Sequence, residues 1–201
     1  MKQPILLLLT VFSLSSLAAQ SQKDSTASED AFFNKLVAYS RPATYHQLLA
    51  TIAGSWTWKS GEHSGSLTRK PFAGGRFFIV ESSSSKNEPL MQSPVQDGKM
   101  EVTTFQTHEV EGYDNVKNKF VKSLVNNHIG SFIASYEGRY DSVTKTIVFE
   151  TEVAFAPDTK WKVYEHLIFI DKDHYKVENY RQQDNEAGKV NEAYYTRVKV
   201  K

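Results

Sequence analysis

Two glutamates stand out because each interrupts an otherwise apolar row of a predicted strand. In Trp161–Ile170 the odd positions are Trp161, Val163, Glu165, Leu167 and Phe169. In Lys189–Val200 the even positions are Val190, Glu192, Tyr194, Thr196 and Val198. Side chains alternate between the two faces of a strand, so each row forms one face, and an apolar face packs inside. The rows therefore predict that Glu165 and Glu192 point into the protein interior.

Inward-facing carboxyl groups have three possible roles. Burial raises the pKa of a carboxyl group, so Glu165 and Glu192 could serve as general acid and base. They could instead hold the polar group of a ligand, or pair with an interior arginine, tyrosine or water in a purely structural role. Trp58 and Tyr194 lie on the more apolar faces of their strands, and we expect them to line any cavity beside these glutamates.

Other residue types exclude several kinds of site. The sequence has no cysteine, which excludes disulfides, thiolate metal sites and cysteine nucleophiles. No two of the six histidines have the i, i+4 spacing of a helical zinc site, and no His-x-His occurs on a strand. Gly-x-Ser-x-Gly and phosphate-binding glycine motifs are also absent. We therefore expect no metal site, and enzymatic activity stays uncertain, with a non-enzyme favoured.

Strand patterns dominate the chain after Gly54. The predicted strands are Ser55–Ser60, Ser64–Lys70, Arg76–Ser83, Met100–Tyr113, Phe120–Asn126, Ser131–Tyr140, Thr146–Ala156, Trp161–Ile170, His174–Gln182 and Lys189–Val200. Most of their connections are too short for crossover helices, so neighbouring strands should be antiparallel. About ten strands in sequence remove their exposed edges most simply by closing into an all-β, up-and-down antiparallel barrel. A two-sheet sandwich is the alternative.

One amphipathic helix precedes the strands. Tyr45, Leu48, Leu49 and Ile52 follow helical spacing. Ser40 is a candidate cap, Pro42 suits the first turn, and Gly54 is a candidate stop. We expect this helix to plug one end of the barrel.

The first residues have the layout of an export signal. Met1–Gln20 contains Lys2, an apolar run from Ile5 to Leu17 and small residues before the expected cleavage point. Residues 21–40 are interpreted as a flexible spacer with an optional short helix over Ala31–Ser40, and residues 41–201 as one barrel domain. The expected location is the periplasm or the extracellular space, with no membrane span once the signal is removed.

The charge balance argues against nucleic acid as a partner. The chain has 24 Lys and Arg against 23 Asp and Glu, a formal net charge of +1. Without Lys2 this charge falls to zero, and no block of basic residues is present. Nucleic-acid binding depends on neutralising phosphates, which such a chain is poorly equipped to do.

Six segments occur in an order that resembles a known bacterial family. They read LLATIAGSWTW, FAGGRFFIVES, EGYDNVKNKFV, SYEGRYDSVTKT, IFIDKDHYKVENY and NEAYYTRVK. Over roughly Leu48 to Lys199 the chain resembles domain of unknown function 1579, which implies a lipocalin-like (calycin) barrel and no established activity. Such barrels tend to open with Gly-x-Trp and close with an arginine over that tryptophan. The resemblance thus implies a structural closure by Trp56 and Arg197.

Two further expectations accompany the resemblance. Ser82–Lys99 belongs to a longer stretch than in short family members, and we interpret this polar segment as a long loop or hairpin at one rim. Nitrobindin-like barrels bind haem iron through one histidine. No cofactor is expected here, but haem stays open as an alternative.

A binding protein is the favoured functional interpretation. Barrels near this size can hold one small ligand, and we expect a small hydrophobic or amphipathic molecule bound noncovalently, with Glu165, Glu192, Tyr194 and Trp58 at the site. One alternative is an interaction module with a filled barrel that contacts an envelope protein or polymer. Another is an isomerase or lyase that uses an interior glutamate.

Overall fold

The computed structural model describes residues 28–89, 102–127, 132–183 and 186–199. The predicted signal segment Met1–Gln20 lies outside these ranges. Two compact units divide between Arg41 and Pro42. The first contains helix α1 (residues 28–39), which overlaps the optional helix predicted at Ala31–Ser40. No helix in the described ranges is both long and apolar enough to cross a membrane.

The second unit is a ten-stranded closed barrel preceded by a short helix. The elements are α2 (Thr44–Ala50), β1 (Gly54–Ser60), β2 (His63–Phe72), β3 (Phe77–Pro89), β4 (Val102–Asp114), β5 (Lys119–Asn126), β6 (Ala134–Asp141), β7 (Thr146–Ala156), β8 (Thr159–Phe169), β9 (His174–Gln183) and β10 (Glu186–Arg197). Each strand pairs antiparallel with the next, and β10 pairs with β1. The predicted up-and-down barrel is confirmed, and the sandwich is wrong.

Helix α2 packs over one end of this barrel. Leu49 and Ile52 are buried in the core, and Tyr45 lies against Tyr113 with ring centroids 4.8 Å apart. The indole Nε1 of Trp56 donates a hydrogen bond to the Ile52 carbonyl at 3.0 Å. The apolar spacing seen in the sequence therefore marks the face that contacts the strands.

The ends of α2 differ from the predicted ones. The helix begins at Thr44 with Ala43 as its N-cap residue, and the Ala43 N–H donates to Nδ1 of His46 at 3.0 Å. Because this imidazole satisfies the free amide, neither Ser40 nor Pro42 is needed to start the helix. Gly54 does not end it either, since its φ of +118° turns the chain into β1.

Strand faces in β7 and β8 follow the predicted alternation. Ile147 and Phe149 of β7 are buried, whereas Glu150 and Glu152 are exposed. Phe149 lies opposite Glu165 of β8 in the register of the two strands. Since directly paired residues share a face, Glu165 lies on the inner side.

The expected facing of β10 is wrong. Tyr195 packs inside, stacked on buried Tyr175 with centroids 4.4 Å apart, and this places Glu192 and Tyr194 on the outer face. Both faces of β10 carry apolar side chains, so hydrophobicity alone could not select the inner one. The register with β9 also shifts between Lys189 and Asn191, which changes the alternation near the start of the strand.

The first half of the Ser82–Lys99 segment, predicted as a long loop or hairpin, is strand. Strand β3 continues through Ser82 as far as Pro89, with a register shift against β4 between Ser83 and Asn87. Residues 90–101 lie outside the described ranges.

Candidate functional site

Arg197 lies on Trp56 at the barrel end covered by α2, as the family resemblance implied. Its guanidinium carbon lies 4.2 Å from the ring centroid of Trp56. Its Nη1 donates to the Ala53 carbonyl at 2.7 Å, and its Nη2 donates to the Thr51 carbonyl at 2.6 Å. These contacts tie the last strand to the first strand and to the end of the helix.

A buried ion pair forms the first polar layer above this closure. Arg69 donates from Nε and Nη2 to the two oxygens of Glu111 at 2.8 and 3.1 Å, and both side chains are almost fully buried. Burial opposes ionisation of Glu111, but its ion pair with Arg69 outweighs burial and lowers the carboxyl pKa. Arg69 is therefore already neutralised by the protein.

Lys122 forms a second layer farther along the barrel. Its Nζ lies 2.6 Å from Oε1 of Glu165 and 3.6 Å from Oε2 of Glu109. The same ammonium sits 4.7 Å from the ring centroid of Tyr136 and 5.1 Å from that of Phe149. Two carboxyl groups thus share one cation inside an aromatic enclosure.

This shared arrangement changes the acidity of its members. Burial raises the pKa of Glu109 to about 7, although Lys122 partly offsets it. Burial also raises the pKa of the Tyr136 hydroxyl to about 12. A carboxyl pKa this high means that Glu109 holds its proton to a higher pH than an ordinary glutamate, and Tyr136 keeps its hydroxyl proton at neutral pH.

A cavity of about 320 Å³ adjoins this layer, and we call it the inner cavity. Its walls combine aromatic and polar groups, including Trp58, Phe105, Glu109, Tyr136, Glu165 and Tyr195. The side chains of Glu109 and Glu165 are each 13% exposed, whereas that of Lys122 is 1% exposed. A molecule in the inner cavity therefore meets carboxyl oxygens rather than the ammonium beneath them.

A second cavity of about 380 Å³, the mouth cavity, lies toward the barrel end opposite α2. It shares Leu124, Tyr136, Asn179 and Asn191 with the inner cavity. Part of its wall is an aromatic cluster. In this cluster the ring centroids of Phe132 and Phe155 lie 5.0 Å apart, and those of Phe155 and Trp161 lie 4.4 Å apart. The barrel interior is thus apolar near its mouth and polar at depth.

Comparison with known families places the chain in a group described as protein of unknown function, DUF1579. The family model matches residues 41–197, which covers the helix α2 and all ten strands. The chain belongs to DUF1579. No curated protein matches it significantly.

Two of the residues selected from the DUF1579 sequence lie together in the inner cavity. Glu165 and Trp58 both line it. The indole Nε1 of Trp58 donates to the Ser82 hydroxyl at 3.0 Å, so its ring edge is fixed against the wall. The structure therefore joins one predicted carboxylate with one predicted aromatic side chain.

Glu192 and Tyr194 lie elsewhere, on the outer surface of this DUF1579 barrel. The carboxylate of Glu192 lies 2.8 Å from Lys189 Nζ and 3.9 Å from Lys176 Nζ. Tyr194 is half exposed, and its ring lies beneath the same Lys176. The prediction that Glu192 and Tyr194 line the cavity is wrong, because Tyr195 faces inward and its neighbours on β10 alternate with it. Neither residue lines the inner cavity or the mouth cavity.

Sequence reasoning missed several interior charges. Glu109 lies on the inner face of β4, and Lys122 lies on the inner face of β5. Along β5, Lys122 stands between Phe120 and Leu124 in the row of side chains that share one face. The rule applied to Glu165 would have selected Lys122 too. No comparable signal marks Arg181, because its own strand β9 mixes polar and apolar residues on both faces.

Metal binding is not indicated by the described part of this DUF1579 chain. Within those residues, no group of three or more His, Asp or Glu side chains is arranged to hold a metal ion. His128, one of the histidines considered for haem, lies outside the described ranges. The haem alternative stays an untested prediction.

Proposed function

We propose that this protein binds one small amphipathic molecule noncovalently inside its barrel. The observation that carries the proposal is the pair of adjoining cavities of about 320 and 380 Å³. Ligand sites are typically concave, mostly apolar pockets of this order of size that contain a few placed polar groups. Here the aromatic mouth would hold the apolar part, and the inner cavity would hold a hydrogen-bonding part.

The polar end of the site favours hydrogen-bond donors on the ligand. Glu109 and Glu165 present carboxyl oxygens to the inner cavity, and carboxylates accept hydrogen bonds. The aromatic rings of Trp58 and Tyr195 line the same space. A hydroxyl or amine group in the inner cavity would satisfy the carboxyl oxygens, while water would otherwise have to do so.

Open space inside the barrel disfavours the interaction-module alternative in its filled-barrel form. An acid–base enzyme is the second candidate, and one observation favours it. Glu109 has a pKa raised by burial to about 7, which suits proton transfer near neutral pH, and it lies beside Glu165 in the inner cavity. This candidate requires the same bound molecule as the binding proposal.

Cavity filling tests the proposal directly. Ala193 lines the inner cavity, so Ala193→Phe should weaken binding of the neutral fluorescent probe N-phenyl-1-naphthylamine at least tenfold. Ala154→Phe makes the same change on an exposed site of β7 and should leave the probe affinity unchanged. Circular dichroism would confirm that both variants fold.

Two results would contradict binding in the barrel. One is equal probe affinity in the Ala193→Phe variant and the unmodified protein. The other is the absence of saturable probe binding together with no co-purified molecule in native mass spectrometry of protein from its own host. A co-purified molecule would also identify the ligand.

A further inference from the structure

Arg181 carries a positive charge that no side chain in the described part of the chain neutralises. Its guanidinium carbon lies 4.4 Å from the ring centroid of Trp161, which is within the range of a cation–π contact. Among the described residues, none accepts a hydrogen bond from this guanidinium or places a carboxylate at ion-pair distance. Since residues 28–89, 102–127, 132–183 and 186–199 offer it no acceptor, its N–H donors can meet a ligand.

The other interior arginines are used differently. Arg69 is held by the two oxygens of Glu111. Arg197 donates to backbone carbonyls of the helix end. Arg181 lies about as close to an indole ring as Arg197 does, yet the described residues give it no such acceptors. A structural role in closure explains Arg197 and does not explain Arg181.

The two cavities present charges of opposite sign. Arg181 is the one formally charged side chain among the described residues that line the mouth cavity. The inner cavity presents the carboxyl groups of Glu109 and Glu165. An anionic group would be repelled at depth and attracted at the mouth, so the charge pattern sets the orientation of an anionic ligand.

We propose that the mouth cavity binds a monoanionic carboxylate with a flat apolar body. The guanidinium of Arg181 binds the carboxylate through two parallel N–H donors, and the body lies against Phe155 and Phe132. This inference rests on the proposed ligand-binding function and names the chemical class of the ligand. An arginine edge matches the geometry of a carboxylate, and Arg181 is already oriented by Trp161.

A carboxylate fits the site better than a phosphate monoester. A phosphate monoester carries nearly two negative charges at neutral pH, whereas the mouth cavity offers one positive charge among its described lining residues. The nearby carboxyl groups of Glu109 and Glu165 would add to the repulsion of a second charge. A cationic body would be repelled by Arg181 itself.

Matched probes distinguish these possibilities. Competition against N-phenyl-1-naphthylamine would compare 2-naphthoate, the neutral isostere 2-naphthamide and 2-naphthyl phosphate. We expect 2-naphthoate to bind at least tenfold more tightly than either of the others. In Arg181→Met, which keeps the packing on Trp161 without the charge, 2-naphthoate should lose at least tenfold in affinity while the neutral probe is unaffected.

Two further variants complete the test. Arg181→Lys keeps the charge without the planar pair of donors and should restore only part of the 2-naphthoate affinity. Arg139→Met removes an exposed arginine from the outer face of β6 and should change nothing. The inference is overturned if 2-naphthamide or 2-naphthyl phosphate binds as tightly as 2-naphthoate, or if Arg181→Met has no effect.

The same measurements separate this inference from the proposed function. If the neutral probe binds and Ala193→Phe weakens it, ligand binding stands whatever the carboxylate result. If the unmodified protein binds neither the neutral probe nor 2-naphthoate in calorimetry, the proposed ligand-binding function is contradicted, and the carboxylate inference that rests on it is contradicted too. A carboxylate preference that depends on Arg181 supports both.

Discussion

The ammonium of Lys122 lies 2.6 Å from Oε1 of Glu165 at the centre of the barrel. The two residues come from β5 and β8, strands that are not neighbours in the sheet. Their contact therefore crosses the barrel interior. With Glu109 as a third member, this cluster is the polar floor beside the inner cavity, and its energetics can be tested without knowing the ligand.

Removing the cation should destabilise the fold strongly. Lys122→Met leaves Glu109 and Glu165 buried without a counter-charge, and breaking a buried pair typically costs about 3–5 kcal/mol. The loss should be smaller at pH 5 than at pH 8, because Glu109, whose pKa is raised by burial, can be protonated at the lower pH. Urea unfolding at the two pH values measures both effects.

A surface lysine provides the control for this experiment. Lys117 pairs with Glu137 at 2.9 Å and is more than half exposed. Lys117→Met should cost far less stability than Lys122→Met, because solvent screens an exposed ion pair. Equal losses for the two lysine variants would contradict a buried role for Lys122.

The raised pKa of Glu109 predicts a specific pH dependence of stability. Burial raises the pKa of Glu109 to about 7 in the folded state, whereas in the unfolded state the carboxyl group has its ordinary pKa of 4.5. Between these values the folded protein holds more protons, so the contribution of Glu109 to stability falls as the pH rises. A shift of this size corresponds to roughly 3 kcal/mol.

Glu109→Gln should remove this contribution. The amide resembles the protonated acid, so the variant should match the unmodified protein at pH 5 and exceed its free energy of unfolding at pH 8. Glu152→Gln, at an exposed site on β7, should follow the unmodified protein at both. Parallel stability curves for Glu109→Gln and the unmodified protein would show that Glu109 ionises normally, and would remove the observation that favours acid–base catalysis.

Gly65 should tolerate no larger side chain. A Cβ atom there would overlap the Ser83 carbonyl oxygen and the Trp58 ring, closer to both than unbonded atoms can approach. Gly65→Ala should therefore destabilise the protein by about 1–3 kcal/mol or more and displace Trp58 from the inner cavity. Thermal unfolding and tryptophan fluorescence measure the two effects.

Gly188 is the matched control, because a Cβ atom at this glycine meets nothing within 4 Å. Gly188→Ala should be close to neutral. If Gly65→Ala were equally neutral, the close approach of the Trp58 ring to β2 would be wrong.

The barrel and the inward facing of Glu165 were predictable because, for most strands, one orientation buries apolar side chains and the opposite orientation would bury charged ones at a large free-energy cost. On β7, exposed Glu150 and Glu152 alternate with Ile147 and Phe149, so only one facing avoids burying two charges. The short connections then left antiparallel pairing as the simple solution. Family resemblance supported the same fold independently.

The rest of the site was not predictable for equally physical reasons. On β10 the faces that contain Tyr194 and Tyr195 are similarly apolar, so the choice between them depends on packing against Tyr175. The cluster of Glu109, Lys122 and Glu165 depends on contacts across the barrel, which alternation along one strand does not reveal. Arg181 becomes notable only in three dimensions, where the described residues place no acceptor beside its guanidinium.

The pairing of β1 with β10 has a consequence for the order of events during folding. Arg197 binds the carbonyl of Ala53, a residue 144 positions earlier in the chain, and no local contact can substitute for that closure. Contacts so distant in sequence form late and slowly. Until the final strand arrives, β1 is a sheet edge without its second neighbour, and neither cavity has a complete wall. The ability to hold a ligand is therefore the last property that the growing fold acquires.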